Sequence, residues 1–205
     1  MNFNQNLYIC ITTAMSNFKE KLLLHACCGP CSTTALERLF EQYRVTVFYY
    51  NPNIAPQEEY IHRKEEAKRL VNEWHEPSND LSFAEGNYTP EVFYEAVKGL
   101  ENEPEGGARC LKCFELRLRE TARIARERGF DAFCTTLTVS PHKNAQAIND
   151  IGTLIEKEAG GPVYLPSNFK KQNGYKRSIE LSGRFNLYRQ HYCGCLFSKN
   201  TCNKK

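Results

Sequence analysis

The hydrophobic positions near the start of the chain form two short apolar runs on either side of a segment with helical spacing. The first run, residues 21–26, stops at a cysteine-rich loop, and residues 32–40 then follow the spacing of an amphipathic helix. The second run, residues 44–50, is rich in β-branched and aromatic residues and ends at the turn residues 51–53. This order of strand, helix and strand predicts a parallel βαβ unit.

Helical and strand-like patterns continue to alternate further along the chain. Helices are predicted for residues 58–73, for a segment that begins at Pro90, and for residues 110–128 and 145–158, and strands for residues 130–139 and 162–166. We predict an α/β fold with one domain, in which helices flank a parallel, Rossmann-like sheet. Ligands of such sheets bind at the carboxyl ends of the strands. The loops at residues 27–31 and 51–56 are therefore expected to face one site.

Charge is unevenly distributed along the chain, although the net charge is only +3. Residues 57–105 carry more acids than bases, residues 109–128 are mainly basic, and nine Lys or Arg residues follow Phe169 against the single acid Glu180. Basic segments close to cysteines predict a surface for a polyanion such as RNA. The pattern leaves one alternative open, a solvated helix face followed by a frayed basic tail.

Seven of the ten cysteines fall into three groups that are far apart in sequence. Closely spaced thiolates favour zinc, copper(I) or iron–sulfur, because soft ligands select these metals. Seven sulfurs exceed what one four-coordinate centre needs, which leaves room for a second metal or a redox-active disulfide. The vicinal pair in the first group is expected to point its side chains apart. The groups are Cys27, Cys28 and Cys31; Cys110 and Cys113; and Cys193 and Cys195.

Simpler interpretations of these cysteines remain open at this point. A thioredoxin-like motif explains Cys28 and Cys31 alone, and a structural zinc site explains a Cys-x-x-Cys pair, but neither accounts for all three groups. The Cys-x-Cys spacing of Cys193 and Cys195 is compatible with a strained, easily reduced disulfide. Cys134 lies in an apolar run and is predicted to be a small buried core residue.

Length and composition predict a chain that builds its core without covalent links. A chain of 205 residues with 41% hydrophobic residues can bury a sizeable core. The apolar stretch at residues 7–11 is too short to cross a membrane, and no basic segment precedes it. We therefore expect neither export nor a membrane anchor, and a cytoplasmic location.

Five ordered motifs give the chain a resemblance to a known family. It resembles the QueH-type epoxyqueuosine reductase family over residues 22–198. The resemblance implies a two-electron reduction of the epoxide of epoxyqueuosine, at the wobble position of tRNA, to queuosine, with electrons from an unidentified donor. The motifs are LLHACCGPCS at residues 23–32, YNPNI at 50–54, RCLKCF at 109–114, TLTVSPHKN at 136–144 and YRQHYCGC at 188–195.

The resemblance and the predicted fold lead to boundaries and to an assignment of the cysteines. Residues 18–198 are predicted to be a catalytic iron–sulfur domain, residues 1–17 a dispensable extension and residues 199–205 a basic tail. We assign a [4Fe–4S] cluster to Cys27, Cys28, Cys110 and Cys113, which combine a loop at a strand end with one helical turn. The second centre is expected to be a mononuclear Fe or Zn acting as a Lewis acid, or a redox-active Cys193–Cys195 disulfide. Its residues are Cys31, Cys193 and Cys195.

Further side chains are predicted to serve this chemistry. His142, Tyr188 and Tyr192 are the candidate proton donors, although the two tyrosines also have the spacing of a packed helix. His25 is predicted to form hydrogen bonds near the cluster rather than to ligate it. The wobble base is expected to be splayed out of its stack. Phosphate contacts are predicted for Lys143, Lys170, Lys171, Lys176, Arg177 and Arg189.

Two other functions remain as alternatives. The strand, loop and helix at the start also resemble nucleotide α-hydrolase-like folds, which include ATP-dependent iron–sulfur tRNA thiolases. Those enzymes carry Ser-Gly-Gly-x-Asp-Ser in the loop, whereas this chain has Cys-Cys-Gly-Pro-Cys-Ser at residues 27–32, so ATP use is not expected. A zinc-stabilised RNA-binding module would need structural metal alone.

Overall fold

A five-stranded parallel sheet forms the centre of the protein. The computed structural model describes residues 19–74 and 80–202. The strands are β1 (Glu20–Ala26), β2 (Tyr43–Tyr49), β3 (Ser82–Glu85), β4 (Ala132–Thr135) and β5 (Val163–Tyr164). The helices are α1 (Gly29–Leu39), α2 (Gln57–Trp74), α3 (Pro90–Ala96), α4 (Ala108–Glu127), a 3-10 turn (Thr136–Val139), α5 (Ala145–Ala159), α6 (Gly174–Arg184) and α7 (Leu196–Cys202).

The strand order is β3-β2-β1-β4-β5, and every paired neighbour is parallel. The predicted α/β fold with a parallel sheet and flanking helices is therefore confirmed. β1 is central because Leu22, Leu23 and Leu24 are all fully buried, as expected of a strand that is covered on both faces. Alternate residues of β1 enter different cores: Leu22 and Leu24 pack with residues of α1 and α2, and Leu23 packs with residues of α4 and α5.

The order of the strands reverses between β1 and β4, which are adjacent in the sheet. In open parallel sheets, the loops that leave the two strands at such a point diverge and form a crevice at their carboxyl ends. The loop after β1 carries Cys27 and Cys28, and the 3-10 turn follows β4 directly. The sheet topology therefore places the first cysteine motif and Thr136 at the same crevice.

Several elements differ from the prediction. The strand that was expected over residues 130–139 ends at Thr135, because the Thr135 hydroxyl accepts a hydrogen bond from the Leu137 amide and starts the 3-10 turn. β3 was not predicted; it is a four-residue edge strand with no fully buried position. The alternative of a frayed basic tail is wrong for residues 174–184, which form α6 with Ser178, Leu181 and Ser182 buried.

The ends of the chain can be compared with the predicted boundaries only in part. Residues 1–17, the predicted extension, lie outside the described residues, as do residues 203–205 of the predicted tail, whereas residues 199–202 belong to α7. In the part of the chain that the structure describes, no helix has the length and apolar character needed to cross a membrane. Cys134 is fully buried in the core, as predicted.

Candidate metal centre

The first cysteine motif brings three thiols together, and we call them the first-loop thiols: Cys27, Cys28 and Cys31. Their sulfurs all lie within 4.8 Å of one another, and those of Cys27 and Cys28 are 3.8 Å apart. The expectation that the vicinal pair diverges is therefore wrong. Cys28 has extended backbone angles immediately before α1, and Pro30 in the first turn of the helix fixes the return of the chain towards Cys31.

Hydrogen bonds and charge make Cys27 the most acidic of the first-loop thiols. The thiols of Cys28 and Cys31 both stabilise a thiolate at Cys27, and its pKa is well below the ordinary value. The same interaction with Cys27, helped by burial, raises the pKa of Cys28 to about 12. Lys143 also contributes a positive charge that lowers the pKa of Cys27. The site is therefore suited to hold negative charge at the carboxyl end of β1.

Two polar side chains from other segments contact the first-loop thiols. The Gln190 amide donates from Nε2 to the Cys28 sulfur at 3.1 Å. The Thr136 hydroxyl lies 3.6 Å from the Cys27 sulfur, to which it donates, and accepts from the Cys27 backbone amide at 3.3 Å. The 3-10 turn after β4 and the segment before α7 thus converge on the same sulfurs.

We call the other four cysteines of the three motifs the helix–loop thiols: Cys110, Cys113, Cys193 and Cys195. Cys113 on α4 and Cys195 before α7 are buried in one apolar cluster with Phe93 and Val97. The pKa of Cys113 is raised to about 12, mainly by burial; the charge of Arg117 lowers it, and Cys193, Cys195 and Cys110 raise it. The eight cysteines whose side chains the structure describes are free thiols, so Cys193 and Cys195 form no disulfide here.

A buried arginine on α2 holds the loop that carries Cys193 and Cys195. Arg63 donates to the backbone carbonyl of Cys193 at 3.2 Å and to that of Tyr192 at 3.3 Å, and it pairs with Glu59 at 2.7 Å. Gly194 between the two cysteines has φ +131°, and a Cβ there would lie 2.8 Å from a side-chain carbon of Ile54. The loop is thus pressed closely against the segment after β2.

Arg117 lies between the two groups of thiols. It is 2% exposed on α4 and donates from Nε to the Cys113 carbonyl at 3.1 Å and from Nη1 to Asn51 at 3.4 Å. Burial lowers the pKa of Arg117, but the surrounding thiols, led by Cys113, raise it more, so that the net shift is upward. Asn51 in turn donates to the carbonyl of Ala26 at 2.8 Å, immediately before Cys27.

His25 is fully buried and uses both ring nitrogens within the protein. Nε2 lies 3.1 Å from the Tyr50 carbonyl, which can only accept, so Nε2 carries the proton and Nδ1 accepts from the Thr135 hydroxyl at 2.8 Å. Burial lowers its pKa to about 4, with a further contribution from the positive charge of Arg117. The ring is therefore a neutral supporting residue, in keeping with its predicted role.

The three predicted proton donors have different environments. The Tyr188 hydroxyl contacts the Glu59 carboxylate at 3.2 Å, and the Tyr192 hydroxyl donates to the Ala55 carbonyl at 2.8 Å. Residues 188–192 are not helical, so the alternative of a packed helix is wrong. His142 is exposed in the loop after the 3-10 turn.

The basic residues that were predicted to contact RNA are spread over several environments. Lys143 is partly buried; burial lowers its pKa, but Cys193, Cys27 and Cys31 raise it more, so the net shift is upward. Lys170 donates to the Lys143 carbonyl, Arg177 pairs with Glu37 at 2.7 Å, Arg189 donates to the Ser182 hydroxyl at 3.0 Å, and Lys171 and Lys176 are exposed.

The basic face of α4 is largely internal or paired. Arg119 pairs with Glu115 and Glu158, and Arg123 pairs with Glu120 and Glu127. Arg109, at the start of the helix, is buried and donates to the backbone carbonyls of Leu100, Glu101 and Glu103. Arg109, Arg119 and Arg123 therefore have partners within the protein.

Sequence reasoning did not single out Arg63, Arg117, Gln190, Thr136 or Asn51. Three of them, Asn51, Thr136 and Gln190, lie within the sequence motifs, and the motifs could have indicated a role at the site. No feature of the sequence indicated such a role for Arg63 or Arg117, because a buried arginine on an amphipathic helix has the same local pattern as an exposed one.

Comparisons with known proteins identify the family of the chain. The family model for "Epoxyqueuosine reductase QueH" matches residues 22–201. A protein of that name from Streptococcus pyogenes serotype M1 is 44% identical over 97% of this chain and 80% of its own length. The protein of the same name from Staphylococcus epidermidis is 43% identical over 88% of this chain and 76% of its own length. The one from Thermotoga maritima is 38% identical over 86% of this chain and 89% of its own length. The chain therefore belongs to the epoxyqueuosine reductase QueH family.

Proposed function

We propose that this protein reduces the epoxide of epoxyqueuosine, at the wobble position of tRNA, to the cyclopentene of queuosine. Conversion of an epoxide to an alkene and water consumes two electrons and two protons, so the reaction is an oxidoreductase reaction and needs an external electron donor. One observation carries the proposal: the first-loop thiols lie within 4.8 Å of one another, and thiols from all three cysteine motifs act on the buried charge of Arg117 or on Lys143, in a member of this family.

The thiols fit the metal centres that such chemistry requires. Two thiolates on one tetrahedral metal, at bond lengths of about 2.3 Å, have sulfurs about 3.8 Å apart. The sulfurs of Cys27 and Cys28 are already 3.8 Å apart. The helix–loop thiols supply four further soft ligands, the number that a [4Fe–4S] cluster takes.

We therefore propose a partition that differs from the one inferred from sequence. The first-loop thiols would hold a single metal ion, Fe or Zn, and the helix–loop thiols would hold a [4Fe–4S] cluster. Support comes from the proximity of Cys31 to Cys27 and Cys28 and from the shared apolar cluster of Cys113 and Cys195. When bound, the two centres would supply electrons one at a time and polarise the epoxide oxygen.

The chain's own residues would orient and protonate the substrate. Gln190 fixes the position of the Cys28 sulfur, and Arg63 fixes the loop of Cys193, so the sulfurs are organised before a substrate arrives. Lys143 holds a proton on Nζ close to both groups of thiols, because their negative charge outweighs the effect of burial. We propose it as the proton donor at the oxygen, ahead of the predicted donors Tyr188 and Tyr192, whose hydroxyls are engaged by Glu59 and Ala55.

Recognition of tRNA would use the exposed basic residues. Lys171 and Lys176 are exposed before and within α6, whereas Arg177 and Arg189 are engaged with other parts of the protein. Phosphate contacts to such lysines would hold the anticodon stem while the wobble base leaves its stack to reach the crevice.

Analysis of iron, sulfide and zinc in anaerobically reconstituted protein, with EPR after dithionite reduction, tests the proposal. Wild type should hold about four sulfides and about five irons, or about four irons and about one zinc. Cys195→Ala should lose the sulfide and the reduced-cluster signal, while Cys28→Ala should keep both. The partition inferred from sequence predicts the opposite for these two variants. Cys134→Ala, a fully buried cysteine outside both groups, is the matched control.

Activity completes the test. Wild-type protein with a chemical reductant should convert epoxyqueuosine in tRNA without ATP, and Cys195→Ala should not. Zinc alone, with no sulfide in any preparation, would contradict the redox mechanism and favour the zinc-stabilised RNA-binding module. A strict requirement for ATP would instead favour a thiolase-like enzyme.

A further inference from the structure

Arg117 is a buried cation on α4. Within the described part of the chain, its buried Nη2 group has no hydrogen-bond partner. Its Nε and Nη1 groups donate to the Cys113 carbonyl and to Asn51, and the guanidinium lies 5.7 Å from the centre of the Phe114 ring. In the described residues, no Asp or Glu lies within ion-pair distance of this guanidinium. Burying such a charge is unfavourable unless an anion offsets it.

Another fully buried arginine, Arg63, has different partners. Arg63 also lies on a helix and is 2% exposed, but it pairs with Glu59 at 2.7 Å and donates to two carbonyls. Arg63 thus has the partners of a structural arginine. Arg117 lacks the carboxylate and keeps one donor group unused, so its position is not explained by stability of the fold.

The groups around Arg117 are thiols from both parts of the site. Cys113 lies one helical turn before it, and its carbonyl accepts from Arg117 at 3.1 Å. Asn51 connects the guanidinium to the carbonyl of Ala26, next to Cys27. The charges of Cys113, Cys193, Cys27 and Cys110 all act on Arg117. The anion that offsets this cation is therefore expected at the sulfurs.

We propose that Arg117 is the counter-cation of the metal centre held by the helix–loop thiols, and that its unused Nη2 group donates to a sulfur of that centre. The positive charge of Arg117 then raises the reduction potential of the centre. The inference rests on the proposed function, because it requires a metal centre. Reduction by dithionite adds one electron to the centre and no proton, so the reduced form is more negative by one charge. A fixed buried cation favours that form. Arg117 is thus a positioning residue that acts through the centre.

A potentiometric titration of the reconstituted holoprotein, followed by EPR, tests the inference. Arg117→Met should shift the midpoint potential to more negative values, so that at the wild-type midpoint the ratio of reduced to oxidised centre falls at least tenfold, about 59 mV for one electron. Arg117→Lys keeps the charge without the planar donors and should shift the midpoint potential less than Arg117→Met does. Arg119→Met removes the same charge from the exposed face of the same helix and should leave the potential unchanged.

Urea unfolding of the metal-free variants separates this role from a structural one. Metal-free Arg117→Met should unfold at the same or a higher urea concentration than wild type, because a buried charge without a carboxylate partner has been removed. If the metal-free variant folds but fails to load metal that wild type loads, the counter-cation role is also supported.

The failures of the inference and of the proposed function are distinguishable. A fully loaded Arg117→Met with the wild-type potential, or one that loses stability equally with and without metal, would overturn the inference and leave the proposed function standing. A wild-type protein that binds neither iron nor sulfide would overturn the proposed cofactor, and the inference with it.

Discussion

Replacement of Arg63 by methionine tests whether this residue anchors the loop that carries Cys193 and Cys195. The substitution keeps an apolar stem of similar length and removes every donor. Three interactions are lost: the ion pair with Glu59 at 2.7 Å and the hydrogen bonds to the carbonyls of Cys193 at 3.2 Å and Tyr192 at 3.3 Å. The loop is already closely packed at Gly194, where a Cβ would lie 2.8 Å from a side-chain carbon of Ile54.

The expected loss of stability follows from these contacts. Removal of one partner from a buried ion pair costs about 3–5 kcal/mol, and the lower end applies because the Glu59 side chain is 15% exposed. Two lost hydrogen bonds to carbonyls add about 1 kcal/mol each. The sum, about 5 kcal/mol, is a large share of the roughly 5–15 kcal/mol that is typical of a folded domain. Metal-free Arg63→Met should therefore be marginally folded.

A second substitution separates the effect of the uncompensated Glu59 charge on stability from the effect of the lost loop anchor on metal binding. In the double variant, which combines Arg63→Met with Glu59→Gln, the uncompensated carboxylate is gone, and the amide oxygen introduced by the second change can still accept from the Tyr188 hydroxyl. Urea unfolding of the metal-free double variant should recover about 3 kcal/mol. The iron bound by the helix–loop thiols should nevertheless stay low, because the carbonyls of residues 192 and 193 still lack their donor. Full iron and sulfide content in the double variant would refute the anchoring argument.

Three further substitutions test other parts of the structure. Gly152→Ala should lower the free energy of unfolding by at least about 1–3 kcal/mol in urea titrations without changing the iron content of folded protein, because a Cβ there would lie 2.3 Å from the Tyr164 ring. Gln190→Leu removes the donor to the Cys28 sulfur and should weaken metal retention about 10–100-fold in competition with a chelator. Lys176→Glu should weaken tRNA binding and reduce the slope of its salt dependence by about 1 or more, with unchanged metal content.

The fold could be predicted from sequence wherever burial leaves a strong local pattern. β1 is buried on both faces and forms a continuous apolar run, and α4 has a clear apolar stripe. β3 could not be predicted, because a four-residue edge strand with partly exposed residues has no such run. α6 was missed for a different reason: its buried face includes Ser178 and Ser182, which are not apolar.

The spacing of Cys27, Cys28 and Cys31 predicted a cluster of thiols, which the structure shows, but the grouping of the other motif cysteines could not be inferred from spacing. Which sulfurs meet depends on how residues 188–195 run along α2, and that path is set by tertiary contacts to Glu59, Arg63 and Glu66. The partition inferred from sequence combined a loop at a strand end with one helical turn, and it placed Cys31 with Cys193 and Cys195. In the structure, Cys31 returns to Cys27 and Cys28 because α1 begins directly after the vicinal pair.

The electrostatics of the crevice explain why so many thiols can be buried together. Cys27 is the thiol whose pKa is lowered, because the thiols of Cys28 and Cys31 donate hydrogen bonds to it. Arg117 and Lys143 add two cations near the same sulfurs. Since the central His25 is neutral at physiological pH, the positive field comes from groups that do not titrate there. The switch point of the sheet thus brings the first-loop thiols together with the fixed positive charge that suits a thiolate-bound centre.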